Sequence, residues 1–77
     1  MNEKIVVKPV VSFGSVLGFS DYKGYGVCAL LSEVRNHPHL GDIPEVRTSR
    51  VEQLVYDDDG RIKEVITKNT HYVRREE

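Results

Sequence analysis

The 77-residue sequence predicts one mainly β domain, a small antiparallel barrel or strongly bent sheet of about five strands with a place for one short helix. Three observations carry that reading. Two apolar-patterned runs, 51–56 and 62–67, flank Asp57-Asp58-Asp59-Gly60, and an Asp-Gly step between such runs is a hairpin-turn signal. Val, Ile, Thr and Tyr are gathered in short runs separated by Gly, Pro, Asn and Asp, the punctuation of strands and turns. The length allows a single core, and a chain of this size buries only roughly 60% of the surface its unfolded form exposes.

From the N-terminus, Ile5-Val6-Val7 and Val10-Val11 are β-branched runs interrupted by Pro9. Proline cannot donate to a ladder, so this first strand belongs at an edge or bends there. Phe13 to Gly26 mixes glycines (Gly14, Gly18, Gly24, Gly26) with aromatics (Phe13, Phe19, Tyr22, Tyr25), which suits a kinked strand followed by a loop. Val27 to Val34 reads as a central strand with Val27, Ala29 and Leu31 on one face and Cys28, Leu30 and Val34 on the other; a short helix is the competing reading. Asn36 to Pro44, with two prolines and a glycine, reads as a loop. Ser49 and Glu52 form a capping box with Val51, Leu54 and Val55 at helical spacing, so a helix over 50–56 competes with the first hairpin strand. The β-type residues and the Asp-Gly turn favour strands. Thr70 to Arg74 supplies the last strand, with Asn69 in a left-handed turn before it.

Composition excludes several function classes. Lys+Arg 11 against Asp+Glu 12 leaves a net charge of -1, neither the acidic balance of a DNA mimic nor the basic balance of an electrostatic nucleic-acid binder. One cysteine, Cys28, rules out an internal disulfide and points to a reducing compartment. The apolar run after Met1-Asn2-Glu3-Lys4 is too short for a secretory core or a membrane span, so a cytoplasmic location without membrane contact is expected.

Chemistry-bearing patterns are sparse. His37-Pro38-His39, Cys28 and His71 are soft-metal ligand types, but the paired spacing of a zinc site is missing. The Asp57-Asp58-Asp59-Gly60 run lacks the alternating oxygens and the distal Glu of a calcium loop; Lys68 stands where that Glu belongs. No serine has a nucleophile-elbow setting, and nothing cationic adjoins Cys28 to make it a thiolate. A non-enzymatic protein without cofactor is expected.

Lys23-Gly24-Tyr25-Gly26-Val27 resembles the opening of the RNA-binding strand motif of cold-shock and RNA-recognition domains. It departs at Val27 and Cys28, where that motif continues with an aromatic and an aliphatic residue. Further on, Asn36-His37-Pro38 with Leu40-Gly41, Val46-Arg47-Thr48-Ser49-Arg50-Val51 and Thr67-Lys68-Asn69-Thr70-His71-Tyr72 resemble small bacteriophage-encoded proteins of unassigned function, which share a Thr-Ser-x-Val strand and a terminal Asn-Thr-x-Tyr strand. The resemblance covers the C-terminal half. It implies a phage or prophage origin, a host-cytoplasm location, and work as an accessory factor or inhibitor that binds a host or viral protein.

Two places are expected to carry contacts. One is the aromatic, glycine-rich segment with Phe19, Tyr22, Lys23 and Tyr25, since Tyr-rich surfaces make hot spots; the other is the strand with Arg47 and Arg50, whose forks read carboxylates. Self-association as a homodimer would support so small a core. The alternative is a single-stranded nucleic-acid module in which Lys23, Tyr22 and Tyr25 stack bases on a sheet face.

Overall fold

The computed structural model describes residues 8–21, 24 and 26–75, and six strands account for most of them: β1 (Val10–Phe13), β2 (Ser15–Asp21), β3 (Val27–His37), β4 (Gly41–Tyr56), β5 (Ile62–Thr67) and β6 (His71–Arg74). They lie in the order β1-β6-β5-β4-β3-β2, and β1 pairs again with β3 at Ser12 and Arg35. That second pairing closes β1, β6, β5, β4 and β3 into a five-stranded barrel and leaves β2 as an extra strand beyond it. The mainly β fold expected from sequence is therefore the observed one. Its pairings are antiparallel except β1 with β6, which run parallel from Val10 and His71 to Phe13 and Arg74. The backbone N–H groups of His71 and Arg75 extend that ladder to the carbonyls of Pro9 (3.0 Å) and Phe13 (2.9 Å). Ile5-Val6-Val7 lie outside the described residues.

Both segments with a competing helical reading are strands, and among the described residues no helix is long and apolar enough to cross a membrane. Burial decides the first of them: Ala29 and Leu31 join Val11, Phe13, Val34, Val65 and Tyr72 in a closed core, an alternation a helix would scatter around its axis. In the second, the capping-box residues are otherwise engaged. Ser49 Oγ accepts the Asn69 N–H (3.4 Å), and Glu52 receives Lys8 Nζ (2.7 Å).

Asp57 builds the hairpin between β4 and β5. Its Oδ1 accepts the N–H groups of Asp59 and Arg61 (3.0 Å each), its backbone pairs with Arg61 (2.8 Å) and Gly60 (3.1 Å), and Gly60 takes the left-handed conformation at φ 80°. At the next turn, Thr67 Oγ1 donates to the Thr70 carbonyl (2.9 Å) and accepts the Thr70 N–H (3.1 Å), so two buried threonines satisfy one another.

A corner runs across three strands. Val11 and Phe13 point inward on β1, but the next inward residue is Val16; on β3, Leu31 is followed by Val34; on β4, Ile43 is followed by Val46. The strict alternation slips by one at Gly14, Glu33 and Pro44, which the pairings around them bring side by side. The residue types explain the place. Glu33 adopts φ 50°, a Cβ on Gly14 would stand 3.0 Å from the Glu33 Cβ, and Pro44 lies where β4 has β3 on one side only, since β5 pairs with it from Val51 onward.

This corner corrects two expectations. Val34 shares the core with Ala29 and Leu31, while Val27 is 46% exposed. The loop foreseen over 36–44 shrinks to the three residues between His37 and Gly41, with Asp42, Ile43 and Pro44 inside β4. The left-handed asparagine is Asn36 (φ 63°), whose N–H donates to Asp42 Oδ1 at 3.0 Å, and Asn69 has no positive φ.

Candidate functional site

Arg47 and Arg50 sit three apart on β4, a spacing that regular alternation would send to opposite faces. A bulge brings them together: Leu30 pairs with Arg47, Cys28 pairs with Arg50, and the register shifts between them. Thr48 fastens the irregularity, its Oγ1 accepting the Ala29 N–H (3.0 Å) and donating to the Ser49 carbonyl (2.7 Å). Directly opposed residues share a face, so Arg47 with Leu30 and Gly18, and Arg50 with Cys28 and Ser20, form two rungs on the outer face of the β2-β3-β4 sheet. Leu30 and Cys28 are half-buried and both arginines are exposed.

The Arg50 stem lies against Gly26. A Cβ there would meet Arg50 Cδ at 2.7 Å and Cγ at 2.8 Å and push the stem aside, and the φ of 104° at Gly26 is one that favours glycine. Among the described residues the Arg50 head group makes one long ion pair, 3.9 Å to Glu52, and Arg47 makes none. Two exposed guanidinium forks, one of them only loosely paired with Glu52, beside an apolar shelf can grip a carboxylate-bearing segment while its apolar atoms rest on Leu30.

Phe19 lies on the same sheet but on the other face, paired with Ala29. It is 44% exposed, near Leu17 at 53%. Tyr22, Lys23 and Tyr25 lie outside the described residues; the chain that leads to them is Asp21, and Gly24 beside them has φ 79°. The structure thus joins Arg47 to Arg50 and separates both from Phe19. The Leu30 and Cys28 shelf was not expected as a contact surface, because a strand apolar on both faces reads as buried on both, whereas here only the Ala29 and Leu31 face is closed over.

Two of the clefts in the described surface gather the remaining candidate residues. One, of about 620 Å³, is lined by Gly14, Glu33, Asp57, Arg61, Arg74 and Arg75. Its charges are largely engaged with one another: Arg74 donates to Asp57 Oδ2 (2.6 Å) and the Ile62 carbonyl (2.9 Å), while Arg75 donates to Ser12 Oγ (3.1 Å) with Glu33 3.8 Å away. The Arg74 guanidinium, seconded by the Arg61 N–H, holds the Asp57 carboxyl below its ordinary range. Asp57 is therefore a staple between β4 and β6, leaving Asp58 and Asp59 as the exposed acids of that turn.

The other cleft, of about 290 Å³, runs between the open edge of β4 and the β5–β6 turn, with His37, Pro38, Arg47, Asn69 and Tyr72 on its walls. His37 Nδ1 accepts the N–H groups of His39 and Leu40 (3.2 Å each), which places the proton of the neutral ring on Nε2. Its ring centroid is 6.4 Å from that of Tyr72, whose phenol is pushed up by burial. His71 is bound to Glu64, and no three of His, Cys, Asp and Glu converge among the described residues. No protein-family model matches this chain, and neither the curated proteins nor the solved structures gave a match.

Proposed function

We propose that this chain is a non-enzymatic binding protein that engages a carboxylate-rich segment of another protein through the outer face of β2-β3-β4. The observation that supports it is the paired register: Arg47 and Arg50 stand on one face, without strong ion pairs, beside half-buried Leu30 and Cys28. In this reading the arginines supply charge-assisted hydrogen bonds and orientation, and the shelf supplies apolar area. The C-terminal sequence pattern extends the proposal to a bacteriophage accessory factor or inhibitor whose target is a host protein in the cytoplasm.

The test is retention of bacterial proteins on immobilised wild-type chain and on the Arg47→Ala/Arg50→Ala variant, after nuclease and over a salt series. A stoichiometric protein held by the wild type and lost by the variant supports the proposal. Equal retention by both removes the arginine face from it. Capture of nucleic acid alone, released steeply as salt rises, would favour the base-stacking alternative through Lys23, Tyr22 and Tyr25.

A further inference from the structure

We infer that the cleft between the first half of β4 and the β5–β6 turn is a binding site for a small carboxylate with an apolar body. The cleft is about 290 Å³, at the small end of ligand pockets. Its polar groups are ones the fold leaves unused. Arg47 makes no ion pair among the described residues. The Asn69 backbone N–H donates to Ser49 Oγ (3.4 Å), but its side-chain amide has no partner among the described residues. His37 is held in place from two directions, its Nδ1 accepting the N–H groups of His39 and Leu40 and its ring centroid standing 6.4 Å from that of Tyr72. That leaves Nε2–H as a fixed donor, again with no partner among the described residues. The larger cleft is the contrast, since its Arg74 and Arg75 are engaged by Asp57, Ser12 and Glu33.

The charge on the walls selects the ligand. The chain carries 12 Asp and Glu, and none of them is among the described residues that line this cleft. With histidine counted as neutral at pH 7, the formal charge there is the single positive charge of Arg47. One guanidinium fork balances one carboxylate, whereas a phosphate dianion would keep half its charge uncompensated. His37 Nε2–H and the Asn69 amide add neutral donors on the same walls, while Pro38, Val46 and Tyr72 give apolar surface to the body of the ligand. Entry is along β4 ahead of Val51, where among the described residues no strand pairs with that edge. Arg47 also stands on the outer face of β2-β3-β4, but the inference does not rest on that reading: Arg50 belongs to the face alone and Asn69 to the cleft alone.

The experiment is titration of the isotope-labelled full chain with phenylacetate, read by backbone amide shifts, with phenylacetamide and phenyl phosphate as comparators. Saturable shifts centred on His37, Arg47, Asn69 and Tyr72 are expected, with neither comparator binding as tightly. Arg47→Gln should weaken phenylacetate about tenfold or more, the loss of a hydrogen-bonded charge pair, and Asn69→Ala should weaken it severalfold. Both residues are exposed, so both variants should fold, and unchanged shifts in β1 and β6 report that they do. Arg50→Ala should bind as wild type does. The peptide Ala-Ala-Ala-Phe presents the same carboxylate at a chain end: tighter binding than phenylacetate, lost on amidation, assigns the cleft to peptide termini, and weaker binding assigns it to free acids. Absence of saturable shifts at phenylacetate concentrations on the order of 10 mM would overturn the inference. So would equal or tighter binding of phenylacetamide or phenyl phosphate, or an affinity that Arg47→Gln leaves unchanged. A loss in Arg50→Ala with none in Asn69→Ala would place the ligand on the outer face and overturn it too, while leaving the arginine-face reading standing.

Discussion

The barrel and the flap that leaves it are made of similar residues in opposite situations. Around the barrel, Val11, Phe13, Leu31 and Val65 are completely buried, because each strand finds a neighbour on both sides and the sheet closes on itself. Along β2 and the start of β3, Leu17, Phe19 and Val27 are each between 44% and 53% exposed, because that sheet continues past the point of closure and, among the described residues, no strand pairs with its outer edge. Closure, rather than hydrophobicity, separates a side chain that stabilises the fold from one left at the surface. The same β3 takes part in both: Ala29, Leu31 and Val34 line the core, while Cys28 and Leu30 on its other face form the arginine shelf.

Truncation measures this contrast most directly. Phe13→Ala is expected to cost about 3 to 5 kcal/mol in chemical denaturation, the range for a fully buried aromatic, whereas Phe19→Ala should stay within about 1 kcal/mol of wild type. A comparable cost at both positions would mean that the flap is part of the core. The corner between the two regions comes next. Gly14→Ala drives a methyl group onto Glu33 and should lose about 1 to 3 kcal/mol. Glu33→Gly removes the obstruction and suits φ 50°, so the double variant should recover most of that loss, with non-additivity as the readout.

Acid sharpens the view of the barrel's far side. Asp57 is held below its ordinary value of 3.8 chiefly by Arg74, so its contribution is complete above that value and is lost as pH falls through it toward the lowered one. Denaturation from pH 6 to pH 2 should show a shallower loss in Asp57→Asn than in wild type, while the Glu52 carboxyl, lowered mainly by Lys8, keeps some acid sensitivity in both. The smallest effect belongs to the flap: Arg47→Ala and Arg50→Ala should change stability by about 0.5 kcal/mol or less. A larger loss would show that these arginines hold the sheet together.

Local signals made the hairpin legible, since Asp57 and Gly60 can form that turn wherever the chain is placed. The identity of most strands was legible too, because Val, Ile and Thr fit a pleated surface on any neighbour. What escaped were features that exist only after closure. Pro44 and Asn36 read as loop residues, yet both lie in strands: one where a strand has a single neighbour, the other in a left-handed position at a strand's end. The parallel partnership of β1 and β6 has no local signal, being set by where the barrel meets itself. Arg47 and Arg50 could be chosen by residue type, but their shared face depends on the Thr48 bulge, and bulges are not written in alternation.

The parallel pairing also sets the order of events during synthesis. Ser12 must hold Arg35 on one side and Val73 on the other, so the first strand of the barrel waits for the last before its second edge is satisfied. A nascent chain lacking 71–74 can form the β2-β3-β4 meander and the β4–β5 hairpin, but keeps an open seam beside β1 and leaves Tyr72 out of the core. Such long-range closure places folding toward the slow end for small domains, on the order of milliseconds to seconds. During that interval the transient edge beside β1 adds to those that the described residues leave open in the finished fold, along β2 and along the first half of β4, and ribosome-bound chains close together are exposed to mispairing through them.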